Sequence, residues 1–347
     1  MKKNLKPQFA SDNYAGICPD AWEAMAEANQ GFVTSYGDDN WTLNAADCIR
    51  ELFDTQCEIF FVFNGTAANS LAIASLCQSY HSVIAHESAH IETDECGGVE
   101  FFTNGTKILT TGGDNAKLNP EMVERLVSKR SDIHFPSPRV LSITQSTELG
   151  TVYKPEEIRM LSNITRKFNM KIHMDGARFA NAVASLGVTP AELTWKNGVD
   201  VLCFGGTKNG MAYGEVVIFF DSELAREFDY RCKQSGQLAS KMRFISSPWV
   251  KMIRNNTWLK NAEHSNRMAK ILYHHLKDIK EIDITVPCEA NAVFVRFPDS
   301  LEKEMKDKGW HFYNFIGNSS RLMCSWATTE KDIEEFVLDI KSIISRW

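Results

Sequence analysis

No stretch of this chain approaches the ~18 consecutive apolar residues of a membrane-spanning helix. The opening Met1-Lys2-Lys3-Asn4-Leu5-Lys6-Pro7 is basic, but no apolar segment comes after it, so it does not read as a secretory signal. Clusters of basic residues are missing too, and the formal net charge is −6, which disfavours nucleic acid or an acidic membrane as a partner. The nine cysteines are odd in number, scattered and never spaced C-x-x-C. Cys77, Cys203 and Cys324 sit in apolar surroundings and read as small core residues of a protein kept in a reducing, cytoplasmic compartment. Neither G-x-x-x-x-G-K-S/T nor G-x-G-x-x-G occurs, so a nucleotide is a poor candidate ligand. Repeats and low-complexity tracts are absent as well.

The composition itself is that of an ordinary globular protein, with 44% hydrophobic and 24% charged residues. At 347 residues the chain is long enough for one large core and a smaller domain. Short apolar runs at Glu58–Phe63, Ser82–Ala85, Val140–Thr144, Lys171–Met174, Val199–Phe204 and Glu215–Phe220 read as strands. Helical spacing begins at Ala67, and Asn119-Pro120 and Lys154-Pro155-Glu156 open further helices. Strands separated by helices predict an α/β layer with a mostly parallel sheet. A long helical stretch around Ser246-Ser247-Pro248-Trp249 leaves this layer at about residue 250, and the remainder of the chain reads as a small α+β domain. The expected division is an arm at 1–15, a large domain at 16–250 and a small domain at 251–347.

In an open parallel sheet the ligand crevice lies beyond the carboxyl ends of the strands. Three sequence features fall there. Asn64-Gly65-Thr66-Ala67 joins a strand to a helix and offers backbone N–H groups, a close-approaching glycine and a hydroxyl to a phosphate; an ordinary capped turn is the plain alternative. His173-Met174-Asp175-Gly176-Ala177-Arg178 and Gly206-Thr207-Lys208-Asn209-Gly210 each follow an apolar run with a glycine turn. A lysine and an aspartate so placed suit pyridoxal phosphate: the amine forms an imine with the cofactor aldehyde and the carboxylate pairs with the ring nitrogen.

One motif competes. His86-Glu87-Ser88-Ala89-His90 matches the zinc-protease pattern H-E-x-x-H, whose chemistry needs both histidines on one helix face. The preceding Val83-Ile84-Ala85 looks like a strand, and a third ligand would have to come from Glu92, Glu95 or a distant residue. We read the pentapeptide as a chance match with one functional histidine, a flat imidazole at a strand end that could stack on a cofactor ring, and expect no metal.

These residues resemble the low-specificity L-threonine aldolases, which are fold type I pyridoxal phosphate enzymes. The resemblance runs from Ser11-Asp12-Asn13 to Arg321-Leu322 through Tyr36-Gly37-Asp38-Asp39, Gly65-Thr66-Ala67-Ala68-Asn69, Ser88-Ala89-His90, Asp132-Ile133-His134-Phe135, the Asp175–Arg178 element and Thr207-Lys208-Asn209-Gly210. It implies a transferase-like fold type I architecture and retro-aldol cleavage of β-hydroxy-α-amino acids to glycine and an aldehyde. It further implies that Lys208 carries the cofactor and that Asp175 pairs with its ring nitrogen. Gly65, Thr66 and Ala67 hold the phosphate, and His90 stacks on the ring. Ser11, Tyr36, Arg178 and Arg321 bind the substrate, with Arg178 also against the cofactor. His134 lies near the substrate side chain, and the Lys241–Arg243 region reaches a neighbouring subunit's phosphate in a homotetramer with sites at a dimer interface. His90, His134 and an ordered water are the candidate bases for the β-hydroxyl.

The chain departs from the family pattern in three places. Asn13-Tyr14-Ala15 follows Ser11-Asp12 where many members have Thr-Val-Thr. Gln145-Ser146-Thr147-Glu148 stands where many have Asn-Thr-His, and Thr207-Lys208-Asn209 where many have Ser-Lys-Gly. Other fold type I reactions (β-elimination, transamination, cleavage of phenylserine-type substrates) and a zinc hydrolase are the alternatives.

Overall fold

The computed structural model describes residues 6–347, so the first five residues of the expected arm lie outside the described residues. A seven-stranded sheet is built from β1 (Glu58–Val62), β2 (His81–His86), β3 (Lys107–Thr111), β4 (Ser137–Thr144), β5 (Lys171–Gly176), β6 (Val201–Gly205) and β7 (Glu215–Phe219). Its order is β1-β7-β6-β5-β4-β2-β3. Only β7 runs against its neighbours, so the carboxyl ends of the other six strands and the start of β7 share one edge. Helices cover both faces, which buries β6 and β7 along their whole length and explains why their sequences read as unbroken apolar runs.

Helix starts follow local chemistry. Asn64 Oδ1 accepts the amide of Ala67 at 2.9 Å and opens the helix Gly65–Leu76, two residues earlier than the apolar spacing predicts. Asn119 and Pro120 open Pro120–Val127 as expected. Two helices without a strong apolar signature, Pro19–Ala28 and Asn40–Phe53, precede β1; the second is capped by Asp39, whose Oδ1 accepts the Thr42 amide. The stretch around Pro248 forms the helix Arg243–Arg254. Asn256, in the left-handed region, then turns the chain into a separate helix, Thr257–Lys277.

A four-stranded antiparallel sheet comes next, with β8 (Asp283–Ile284), β9 (Ala292–Arg296), β10 (Tyr313–Asn314) and β11 (Ser320–Met323) in the order β10-β11-β9-β8. Val293, Val295, Leu322 and Phe336 fill its core with the helices Asp299–Asp307 and Glu330–Ile344. The N-terminal segment is pinned into this unit. Phe9 is fully buried, its amide donates to His311 O, its carbonyl accepts from Met323 N, and its ring lies 4.9 Å from that of Phe336. That anchor delivers Ser11 and Asp12 to the edge of the large sheet. No helix among the described residues is long and apolar enough to cross a membrane.

Candidate active site

One hollow opens at the carboxyl edge of the large sheet, lined by Ser11, Gly65, Asn69, His90, Glu95, Glu148, Asp175, Arg178, Lys208 and Arg321 among others. Close backbone approach makes this convergence possible. A Cβ at Gly205 would stand 2.5 Å from the Ala177 carbonyl, so only glycine lets the end of β6 close on the turn after β5. Gly210, at φ +106°, then turns the chain away. Asp175 and Lys208 thus leave adjacent strands into the same space.

Asp175 is 5% exposed. Its Oδ2 accepts from Asn69 Nδ2 at 3.0 Å and its Oδ1 from the Ala177 amide at 3.0 Å. Burial and the neighbouring charge of Arg178 push the Lys208 amine below the usual lysine range, with Asp12, Asp175 and Glu215 opposing. Glu215, at the start of β7, clamps the lysine loop: it accepts from Thr207 Oγ1 at 2.7 Å and from the Gly206 amide at 3.0 Å. Its own burial drives its carboxyl up to about 7.

Arg178 binds Asp12 through two bonds, Nε to Oδ2 at 2.7 Å and Nη2 to Oδ1 at 2.9 Å. Burial alone would raise the Asp12 carboxyl; the charge and hydrogen bonds of Arg178, with Lys208 and Asn291, hold it below the usual range. Arg321, on β11, lies over the Phe315 ring at 4.5 Å, and its Nε is buried with no partner. Burial and the charge of Arg178 bring Arg321 down to about 10. An anion in the hollow would relieve both guanidinium groups.

Asn69, Glu95 and Glu148 are members of the cluster to which the sequence reading gives no role in a pyridoxal phosphate site. Asn69 Nδ2 also donates to Glu95 Oε1 at 2.8 Å, and Glu95 Oε1 meets His90 Nδ1 at 2.9 Å. Glu148 Oε1 accepts the His90 amide at 2.9 Å, and burial next to Asp175 pushes its carboxyl up to about 7. Glu148 belongs to the segment that departs from the family pattern, and that departure was the one sequence signal pointing to it.

Thr66 and Ala67 occupy the first turn of the helix that Gly65 begins. Tyr36 is not with Arg178; it lines a second hollow with Phe63, Tyr213 and Lys241, its amide donating to Ser240 O. Arg243 begins the next helix, with its guanidinium 5.0 Å from the Phe244 ring. Within one chain, His134 does not reach the cluster. It sits in an exposed turn before β4, beside the 96% exposed Ile133, whereas the site lies past the other end of that strand. The reason is topological: the turn precedes a parallel strand and so falls on the opposite edge.

The H-E-x-x-H reading fails on local structure. His86 ends β2 and His90 begins the four-residue helix His90–Thr93, so the two do not share a helix face. His86 is satisfied by Ser88 Oγ at 2.7 Å and Gly113 O at 3.2 Å, while His90 turns to Glu95.

The profile of the beta-eliminating lyase family matches residues 8–299. The low-specificity L-threonine aldolase of a Pseudomonas species is 56% identical over 97% of this chain and 98% of its own length. Among solved structures, the threonine aldolase of Leishmania major superposes with a TM-score of 0.91 at 27% identity, covering 97% of this chain and 100% of that one. A pyridoxal phosphate-bound aminotransferase-like protein of Clostridium difficile shares the fold, with a TM-score of 0.71 at 14% identity over 98% and 92% of the two chains. The mostly parallel sheet, the strand-end cluster around Lys208 and this near-full-length identity agree: the chain belongs to the beta-eliminating lyases and, within them, to the low-specificity L-threonine aldolase family.

Proposed function

We propose that this chain is a pyridoxal phosphate-dependent aldolase that cleaves L-threonine, L-allo-threonine and similar β-hydroxy-α-amino acids to glycine and an aldehyde. The observation that carries the reading is the meeting of Lys208 and Asp175 with two guanidinium groups, Arg178 and Arg321, in one hollow.

The residues fit the cofactor. A Cβ at Gly65 would meet nothing within 4 Å, and the amides of Gly65 and Thr66 are the first of their helix, with no intrahelical acceptor. A phosphate fits there, favoured by the helix dipole. Asp175 is a buried carboxylate suited to the ring nitrogen, Lys208 is the amine for the aldehyde carbon, and His90 is the flat group for the ring face. When bound, pyridoxal phosphate supplies the electron sink for the pair released as the Cα–Cβ bond breaks.

The chain's own residues do the rest. Arg321, with an unpartnered buried Nε, and Arg178, through its remaining N–H groups, hold the substrate carboxylate. Two-point binding fixes rotation about the Cα–N bond, and orientation of this kind is a major part of catalytic rate. Ser11, 8% exposed at the rim, adds a hydroxyl. His90 takes the β-hydroxyl proton. His134 acts on a site only from a neighbouring chain.

The same reading takes residues 16–250 as the cofactor domain, 251–347 as the small domain and 1–15 as an arm. It also takes the protein to be a cytoplasmic homotetramer in which Lys241 and Arg243 of one chain reach a neighbour's phosphate site and Tyr36 reaches a neighbour's substrate. The separate hollow that Tyr36 and Lys241 line supports this division of labour. The test is to incubate purified, cofactor-loaded protein with L-threonine and quantify acetaldehyde and glycine. Equal amounts of the two are expected; 2-oxobutyrate with ammonia, or transfer of the amino group to an oxo acid, would sink the aldol reading.

A further inference from the structure

His90 is held by two carboxylates from different segments. Glu148 Oε1 takes its backbone N–H, and Glu95 Oε1 faces its ring Nδ1 at 2.9 Å. Glu95 arrives there because the helix His90–Thr93 stops after one turn and Asp94, at φ −135°, ends it, with its amide still bonded to His90 O. Glu95 is 4% exposed, and its second oxygen, Oε2, is buried with no hydrogen-bond partner. A buried, half-satisfied carboxyl group is costly. Its two side-chain partners, Asn69 and the His90 ring, both meet the other oxygen, which points to a role at the adjoining imidazole.

We propose, resting on the aldolase reading above, that Glu95 is a positioning residue of the cleavage: its carboxylate takes the Nδ1–H of His90 and so leaves Nε2 to receive the substrate's hydroxyl proton. An ionised carboxylate only accepts hydrogen bonds, so the proton between the two groups belongs to Nδ1 and a neutral ring is bare at Nε2. Nε2 has no partner among the described residues, and the side chain is 41% exposed toward the hollow that it lines. As the β-hydroxyl O–H bond breaks, an N–H bond forms at Nε2 and the ring becomes imidazolium beside Glu95. The O–H electron pair becomes the second bond of the aldehyde carbonyl, and the Cα–Cβ pair would be taken up by pyridoxal phosphate when it is bound. The arrangement is continuous with the cofactor partner, since the same Asn69 nitrogen donates to Glu95 and to Asp175. The hydrogen bond to Glu95 holds His90 above the usual histidine range against burial, with Asp175 adding and Lys208 opposing; burial and then Asp175 raise the Glu95 carboxyl, and its hydrogen bonds to His90 and Asn69 oppose that rise.

The test pairs Glu95→Gln with histidine-selective NMR on the apoprotein and the cofactor-loaded enzyme, the His90 signal being assigned by its loss in His90→Gln. In the wild type, neutral His90 carries its proton on Nδ1. In E95Q the ring's midpoint falls by about one pH unit. The acid limb of kcat moves to lower pH with it, and kcat drops by roughly 10²-fold, while KM for L-threonine holds. Glu95→Asp keeps the charge and recovers most of the midpoint; should E95Q not fold, a midpoint for E95D lying between those of wild type and free histidine supports the proposal. An active wild type whose His90 midpoint and acid limb do not move in either variant overturns the proposal alone. A wild type that releases no acetaldehyde overturns the aldolase reading and the hydroxyl proton with it.

Discussion

Arg178 and Asp12 are 166 residues apart in the chain and meet through two hydrogen bonds, of 2.7 and 2.9 Å, beside the hollow that Arg178 lines. The arginine leaves the turn after β5; the aspartate comes from the segment that Phe9 anchors to the small sheet. The pair therefore ties the two sheets together and fixes the plane of a guanidinium that lines the hollow. Its geometry is the bidentate fork that lysine cannot reproduce.

Asp12→Ala should therefore affect both stability and binding. It strips the partner from a largely buried guanidinium, which costs about 3 kcal/mol in similar settings. It also lets Arg178 rotate, so KM for L-threonine should rise. A thermal melt and a Michaelis–Menten series on the same preparation check this; a lowered melting temperature with unchanged KM would mean that the pair is structural only.

Arg321 is the opposite case. Its Nε is buried without a partner and its guanidinium has been brought down to about 10, first by burial and then by Arg178. Arg321→Met keeps the stem and removes the charge, so the apoprotein should melt higher while KM rises at least tenfold, the value of one charge-assisted bond of ~1.5–3 kcal/mol. Such a trade of stability for function is usual at binding sites. A variant with lower stability and normal KM would refute the role.

Lys208→Ala separates attachment from folding. Lys208 donates no hydrogen bond to the described residues, and burial with Arg178 already disfavours its charge. The variant should fold with an unchanged or raised melting temperature and lose turnover. Borohydride treatment of the loaded wild type should tag the peptide holding Lys208, and the same treatment of K208A should tag none.

Much of this was legible in the sequence, and the physical reason differs by element. β5 and β6 are buried on both faces, so their apolar runs announce them and place Asp175 and Lys208 at their ends. β3, Lys-Ile-Leu-Thr-Thr, pairs only with β2 at the sheet edge and carries three polar residues, so no run marks it. Asp12, Asn69 and Glu95 escape a sequence reading for another reason: their roles are set by the residues they meet across folds of the chain. Glu95 stands five residues after His90, and it meets the ring because the intervening helix stops after a single turn at Asp94. His134 differs again: its turn precedes β4 and so lies at the opposite edge of the sheet from the hollow of its own chain.

Glu215 gives the pH dependence of stability. Its carboxyl ionises near 4.5 in the unfolded chain and at about 7 in the folded one, chiefly because it is buried. Between those values the folded state binds more protons than the unfolded state, so stability falls as pH rises through that window. Below the window both states are protonated and the penalty is absent; above it the penalty is complete, at about 3 kcal/mol as an upper bound. Glu215→Gln can keep both clamps, with its carbonyl oxygen accepting the Gly206 amide and its amide nitrogen donating to the Thr207 hydroxyl, and it has no proton to lose. Urea melts of the apoproteins should coincide near pH 4 and diverge toward pH 8, with the variant the more stable. Parallel curves across the whole range would show that Glu215 stays ionised when buried, its charge stabilised by Lys208 and the loop it clamps.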